Sequence, residues 1–127
     1  MITNSKISYM AIPMVMEYEK KVIGLDTKTI QEKKKDIEII VCREMAVSIE
    51  DAYSRTSKKE IVSCRHILFY FFNKHKLTTK VAMGRWFNKD HATVIHGLKK
   101  VQDQADIYPE YRMQLEKLSI MINLKLN

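Results

Sequence analysis

The sequence predicts an all-α fold: a compact multi-helix domain of about six helices that contains a helix-turn-helix and follows an N-terminal extension. Three observations carry that expectation. The 127 residues include only 3 Gly and 2 Pro, too little punctuation for a sheet with many tight turns. Apolar residues make up 46% of the chain and recur at helical spacing through most of it. Helix-start signals precede several of those runs. A chain of this length suits one core, so the expected organisation is an extension over residues 1–28 and a single helical domain over residues 29–127.

The extension contains "ISYMAIPMVM", residues 7–16. Pro13 interrupts this run, the charged "EYEKK" follows it, and it is too short to span a bilayer. The expectation is therefore no export, no membrane segment and a cytoplasmic protein. The segment reads either as an arm that docks a partner or as a strand of chain whose Ile12, Met14 and Val15 pack back on the domain.

Ile30, Ile37, Ile40, Val41, Met45 and Val47 follow i, i+3, i+4 spacing and predict an amphipathic helix over about residues 29–46. "SIED" at residues 48–51 begins a short helix that carries Ile49, Ala52 and Tyr53 inward. "SKKE" at residues 57–60 has the form of a capping box, and Ile61, Cys64, Ile67, Leu68, Phe71 and Phe72 follow at helical period. That predicts a long central helix over about residues 58–75. Thr78 or Thr79 caps a shorter helix with Val81, Ala82, Met83, Trp86 and Phe87 as its apolar cover, ending near Asn88, which tolerates a left-handed turn. Asp90 caps the next helix, whose Val94, Ile95, Leu98 and Val101 are expected to face the core. Pro109 suits the first turn of a last helix bearing Tyr111, Leu115, Leu118, Met121 and Ile122. Cys42 and Cys64 fit no metal or redox spacing and read as buried structural thiols.

Net charge is +7, and its placement is uneven. Between Arg55 and Lys100 stand eleven basic residues against two acids, Glu60 and Asp90, whereas the rest of the chain is slightly acidic. Such a local excess is the footprint of a surface that meets a polyanion. Two short helices joined by a tight turn inside this stretch describe a helix-turn-helix, whose second helix enters the DNA major groove. Its first turn would offer Asp90 to a cytosine amino group, His91 as donor or acceptor, and the Ala92 methyl to a thymine methyl. His96, Lys99 and Lys100 follow within reach of phosphates. Plainer readings stay open beside these: Asp90 as a cap alone, His96 as a packing residue, and Gly97 as a point of close helix contact.

"KDHATVIHGLKKV", residues 89–101, closely resembles the signature of the C-terminal DNA-binding domain of the bacterial chromosomal replication initiator DnaA, whose usual form reads GGRDHTTVLHA. The resemblance extends upstream through "IEDAYSRTSKKEIVSCRHILFYFF", residues 49–72, and covers about residues 34–120. It implies a six-helix domain that binds short duplex DNA boxes. It also implies base reading by Asp90, His91 and Ala92, phosphate contacts from Thr93, His96 and Lys100, and minor-groove or backbone contacts from Arg55 through Lys59, with Arg65 on the helix behind. This chain departs from the pattern in three places. Ala92 replaces a threonine and keeps only a methyl; Ser57 stands where the family carries its minor-groove arginine; and "FNKD" is one residue shorter than "FGGRD".

The chain lacks the GxxxxGK[ST] phosphate loop of the initiator's ATPase module. The expectation is a free-standing, nucleoid-associated bacterial DNA-binding domain that needs no nucleotide or other cofactor. It would serve as a regulator or an accessory of replication, transcription or a mobile element. Catalysis is not expected: His91 and His96 are five apart, which is not a helical metal pair, and no nucleophile stands beside a base. The competing expectation is a protein-interaction module of DNA-binding ancestry that reaches replication machinery through residues 1–28.

Overall fold

The structure, a computed structural model, describes residues 28–127, so the docking-arm expectation for "ISYMAIPMVM" lies outside the described residues. Among the described residues six helices follow one another: α1 (Ile30–Met45), α2 (Ile49–Ala52), α3 (Lys59–Lys74), α4 (Lys80–Trp86), α5 (His91–Ile107) and α6 (Pro109–Leu126). No strand occurs among the described residues.

α1 starts at Thr29, whose hydroxyl accepts from the Glu32 amide while the Glu32 carboxylate accepts from the Thr29 amide. The reciprocal pair satisfies two of the amides that a helix start leaves without partners. The helix ends at Ala46 in the left-handed region, φ 58°. Ile37, Ile40 and Val41 form its buried stripe, joined by a buried acid, Glu38. Glu38 is held by Lys34 at 2.9 Å and by the Tyr53 hydroxyl, so the charge does not lack partners.

α2 is one turn capped by Ser48, which accepts from the Asp51 amide at 3.0 Å. The chain then loops into α3, and here the sequence expectation is corrected: the cap position falls on Lys58, with no side-chain cap, and the Ser57/Glu60 box does not form. The cause lies further along α3. Arg65 is buried and donates to the carbonyls of Ala52, Ser54 and Thr56. This draws the loop inward and brings the chain into the helix one residue after Ser57.

α3 supplies the centre of the core. Cys64, Ile67, Leu68, Phe69, Phe71 and Phe72 are all buried, each large apolar side chain contributing roughly 1.5–3 kcal/mol. α1, α2, α4 and α5 pack around it, and α6 closes the remaining side against α1 and α5. Cys42 and Cys64 are buried free thiols with sulfurs 3.9 Å apart. Pro109 sits in the first turn of α6, and Leu115, Leu118 and Ile122 bury that helix.

α4 and α5 form the helix-turn-helix. Thr79 caps α4 and Asp90 caps α5, each by accepting from the amide three residues on. Between them Asn88 takes φ 55°, the left-handed turn that its short polar side chain permits. The turn folds back on Gly84, where a Cβ would lie 2.7 Å from the Lys89 carbonyl oxygen. Phe87 pins the turn to the core, stacking on Tyr53 at 4.3 Å and meeting Phe69 edge-on at 4.9 Å.

Candidate nucleic-acid interface

The rotation of α5 decides what its side chains can reach. Val94, Gly97 and Val101 are buried, and a Cβ at Gly97 would lie 2.8 Å from both the His66 and Phe69 rings. Gly97 is therefore a point where α5 lies close against α3. Its role is helix packing, one of the readings the sequence left open. With that arc facing inward, Ile95 turns outward and is 45% exposed, correcting its expected place in the core. Along the outer side run His91, Ala92, Ile95, His96 and Lys99, all exposed.

Asp90 precedes this face and is exposed. Its Oδ1 accepts from both the Thr93 amide, 2.8 Å, and the Thr93 hydroxyl, 2.7 Å. These bonds hold its carboxyl below the usual aspartate range. Oδ2 takes no part in either bond. The hydroxyl proton of Thr93, a residue expected at a phosphate, is directed to the cap in this structure.

Lys99 reaches Asp103 one turn on, at 3.3 Å, in an exposed pair that contributes about 0.3–0.5 kcal/mol and is easily exchanged for a phosphate. Lys100 turns toward α3. Together with Ser57, Lys59, Val62, Ser63, His66 and Gln104 it lines an open cleft of about 290 Å³, so the start of α3 and the middle of α5 present basic groups on one side of the domain. His66, which sequence reasoning passed over, stands at the base of this cleft. Its ring centroid is 6.3 Å from that of His96, and burial, with His96, Arg65 and Lys100 nearby, pushes its pKa down to about 4. A signal was present: Lys59, Val62, Ser63 and His66 are spaced i, i+3, i+4, i+7 along one helix face.

Of the basic loop, Arg55, Lys58 and Lys59 are exposed. Lys58 and Lys59 sit at the positive end of the α3 dipole, where a cation is disfavoured unless an anion joins it. Arg65 is the correction in this group. It is 4% exposed, and its bonds to three carbonyls make it the support of the loop rather than one of its outward contacts.

Among the described residues, no group of three or more His, Cys, Asp or Glu is placed to hold a metal ion, and no helix is long and apolar enough to cross a membrane.

A glycine-tightened turn between two capped helices, with the first turn of the second helix exposed and a basic loop beside its flank, defines a DNA-binding domain of the helix-turn-helix class. The family described as bacterial dnaA protein helix-turn-helix matches residues 34–101, more than half of the chain, and the chain belongs to it. It is 28% identical over 104 residues to the chromosomal replication initiator protein DnaA of Bacteroides fragilis, covering 81% of this chain and 21% of that protein. To the protein of the same name in Desulfotalea psychrophila it is 30% identical over 97 residues, 76% of this chain and 20% of the relative. To that of Porphyromonas gingivalis it is 27% identical over 126 residues, 96% of this chain and 26% of the relative. The chain thus spans about a fifth to a quarter of the length of these relatives.

Proposed function

We propose that this chain binds double-stranded DNA with the first turn of α5 in the major groove and acts as a regulator or accessory of replication, transcription or a mobile element. Asp90, His91 and Ala92 read base edges. Asp90 offers Oδ2 to an amino group, His91 donates or accepts, and the Ala92 methyl meets a thymine methyl, with Ile95 extending that apolar contact. His96, Lys99 and Lys100 hold phosphates on one strand. Arg55, Lys58 and Lys59 take the adjacent backbone or minor groove, with Arg65 supporting them from within. No nucleotide or other cofactor takes part, and the site has no catalytic role.

The observation that carries this reading is the exposure of Asp90, His91 and Ala92 while Val94, Gly97 and Val101 lock the opposite side of α5 onto α3. A helix so fixed can present its first turn without rearrangement. The occurrence of the same domain in proteins named chromosomal replication initiator supports a replication role among the three.

Selection of bound sequences from a random duplex pool, followed by titration of the winner at several salt concentrations, tests the proposal. An enriched motif is expected, with a log-log salt slope equivalent to roughly four to six released counterions. No enrichment together with a flat salt dependence would instead favour a protein-interaction module working through residues 1–28.

A further inference from the structure

The last helix leaves one face uncovered. Met113, Ile120 and Leu124 of α6 are 66%, 61% and 77% exposed. Separations of seven and four residues put them on one line of the helix, opposite the buried Leu115, Leu118 and Ile122. Lys117 lies on the same line, but its ammonium reaches Glu44 of α1 at 3.1 Å, so it adds chiefly its methylene stem to the stripe. Single exposed apolar residues are ordinary on a protein surface; an aligned set of them forms a patch that calls for a partner.

The chain itself supplies one. Lys28, the first described residue, donates its ammonium to the Lys125 carbonyl at 3.0 Å and also pairs with Asp36. The polypeptide ahead of it therefore joins the domain at the C-terminal end of α6, beside Leu124. "ISYMAIPMVM", residues 7–16, ends twelve residues before that anchor. Twelve residues reach up to about 40 Å when extended. The stripe from Leu124 back to Met113 is only about 16 Å long at the helical rise, so the segment can round the helix end and lie along it.

We propose that residues 7–16 dock on the Met113–Ile120–Leu124 face of α6 in the same chain. The segment contributes Met10, Ile12, Met14 and Met16 to an apolar contact that α6 cannot satisfy elsewhere on the domain.

Methionine-methyl spectra of the full chain test this, with a nitroxide on a Glu116→Cys variant beside the stripe. Cys42 and Cys64 are buried, which directs the label to position 116. The expected result is strong broadening of the Met10, Met14 and Met16 methyl signals that does not change on dilution. Introducing Ile120→Glu with Leu124→Glu should abolish that broadening while the buried Met83 signal keeps its position as proof of folding. Absence of broadening in the unsubstituted stripe would overturn the proposal. So would broadening seen only when nitroxide and isotope reside on different chains, which would assign the face to a second copy.

Discussion

Arg65 Nε donates to the Ala52 carbonyl across 2.9 Å, tying the first half of α3 to the last residue of α2. With Nη2 on the Ser54 and Thr56 carbonyls, a buried cation becomes the form around which residues 53–58 are laid. Arg55 and Lys58 point outward because the backbone between them is held from inside. A residue expected to touch phosphate is instead buried and fixes the exposed basic loop beside it.

Arg65→Met keeps much of the stem and removes the bonds. It should cost about 2–4 kcal/mol of stability by denaturant titration, since three carbonyls lose a charged donor. DNA affinity should fall because the loop loosens, yet the salt slope should stay as it was. A slope smaller by about one would return Arg65 to the phosphate backbone.

Lys58 occupies the cap position of α3 without capping it, at the helix end where a cation is least welcome. Lys58→Asp should therefore raise stability by about 0.5–2 kcal/mol through the new cap. The same change should weaken duplex binding at low salt by several fold and reduce the salt slope. If Tm rises and binding is untouched, Lys58 has no part in the interface.

What the letters reveal and conceal follows from where the deciding contact lies. α1 and α3 are legible within a residue or two because each buries a stripe at helical spacing, the start of α6 is legible from Pro109, and the caps at Ser48, Thr79 and Asp90 are legible because their bonds are local. "TIQE" at residues 29–32 and "SKKE" at residues 57–60 have the same pattern, but only the first forms its box. The second is overridden by Arg65, whose carbonyl partners lie nine to thirteen residues before it. The outward turn of Ile95 on α5 has no local signal for a similar reason. An apolar count treats Gly97 as neutral, yet its missing Cβ is what brings α5 onto Phe69 and sends Ile95 outward. The His66–His96 proximity joins positions thirty residues apart and has no local signal beyond the face His66 shares with Lys59.

The burial of His66, more than its neighbour His96, gives the domain a pH dependence of defined sign. The pKa of His66 is depressed to about 4 in the folded protein, against an unfolded value near 6.5. Between those values the unfolded chain binds the extra proton, so stability is full above about pH 6.5 and is lost as pH falls toward 4. The ring is half-buried, so solvent screening limits the effect to on the order of 1 kcal/mol. His66→Gln should flatten the fall in Tm between pH 6.5 and 4.5. An unchanged profile would place the proton uptake elsewhere, with His75, also depressed by burial, as the next residue to replace.

The sharpest test separates the two ends of α5, because base contacts specify while phosphate contacts position. His91 is exposed in the first turn, beside the Asp90 cap, whereas Lys100 stands nine residues on, in the cleft shared with Lys59 and His66. His91→Ala should cost about 1–3 kcal/mol on the preferred duplex and much less on random duplex. Lys100→Ala should weaken both nearly equally and lower the salt slope by about one. Asp90→Ala mixes effects, since it removes the cap on Thr93 as well as the proposed base contact, and its binding loss counts toward recognition only after its Tm change is measured. The deciding quantity is the ratio of preferred to random affinity for each variant. If His91→Ala leaves that ratio unchanged while Lys100→Ala alters it, the helix lies on DNA in the opposite sense, and the exposed first turn of α5 is not its reading end.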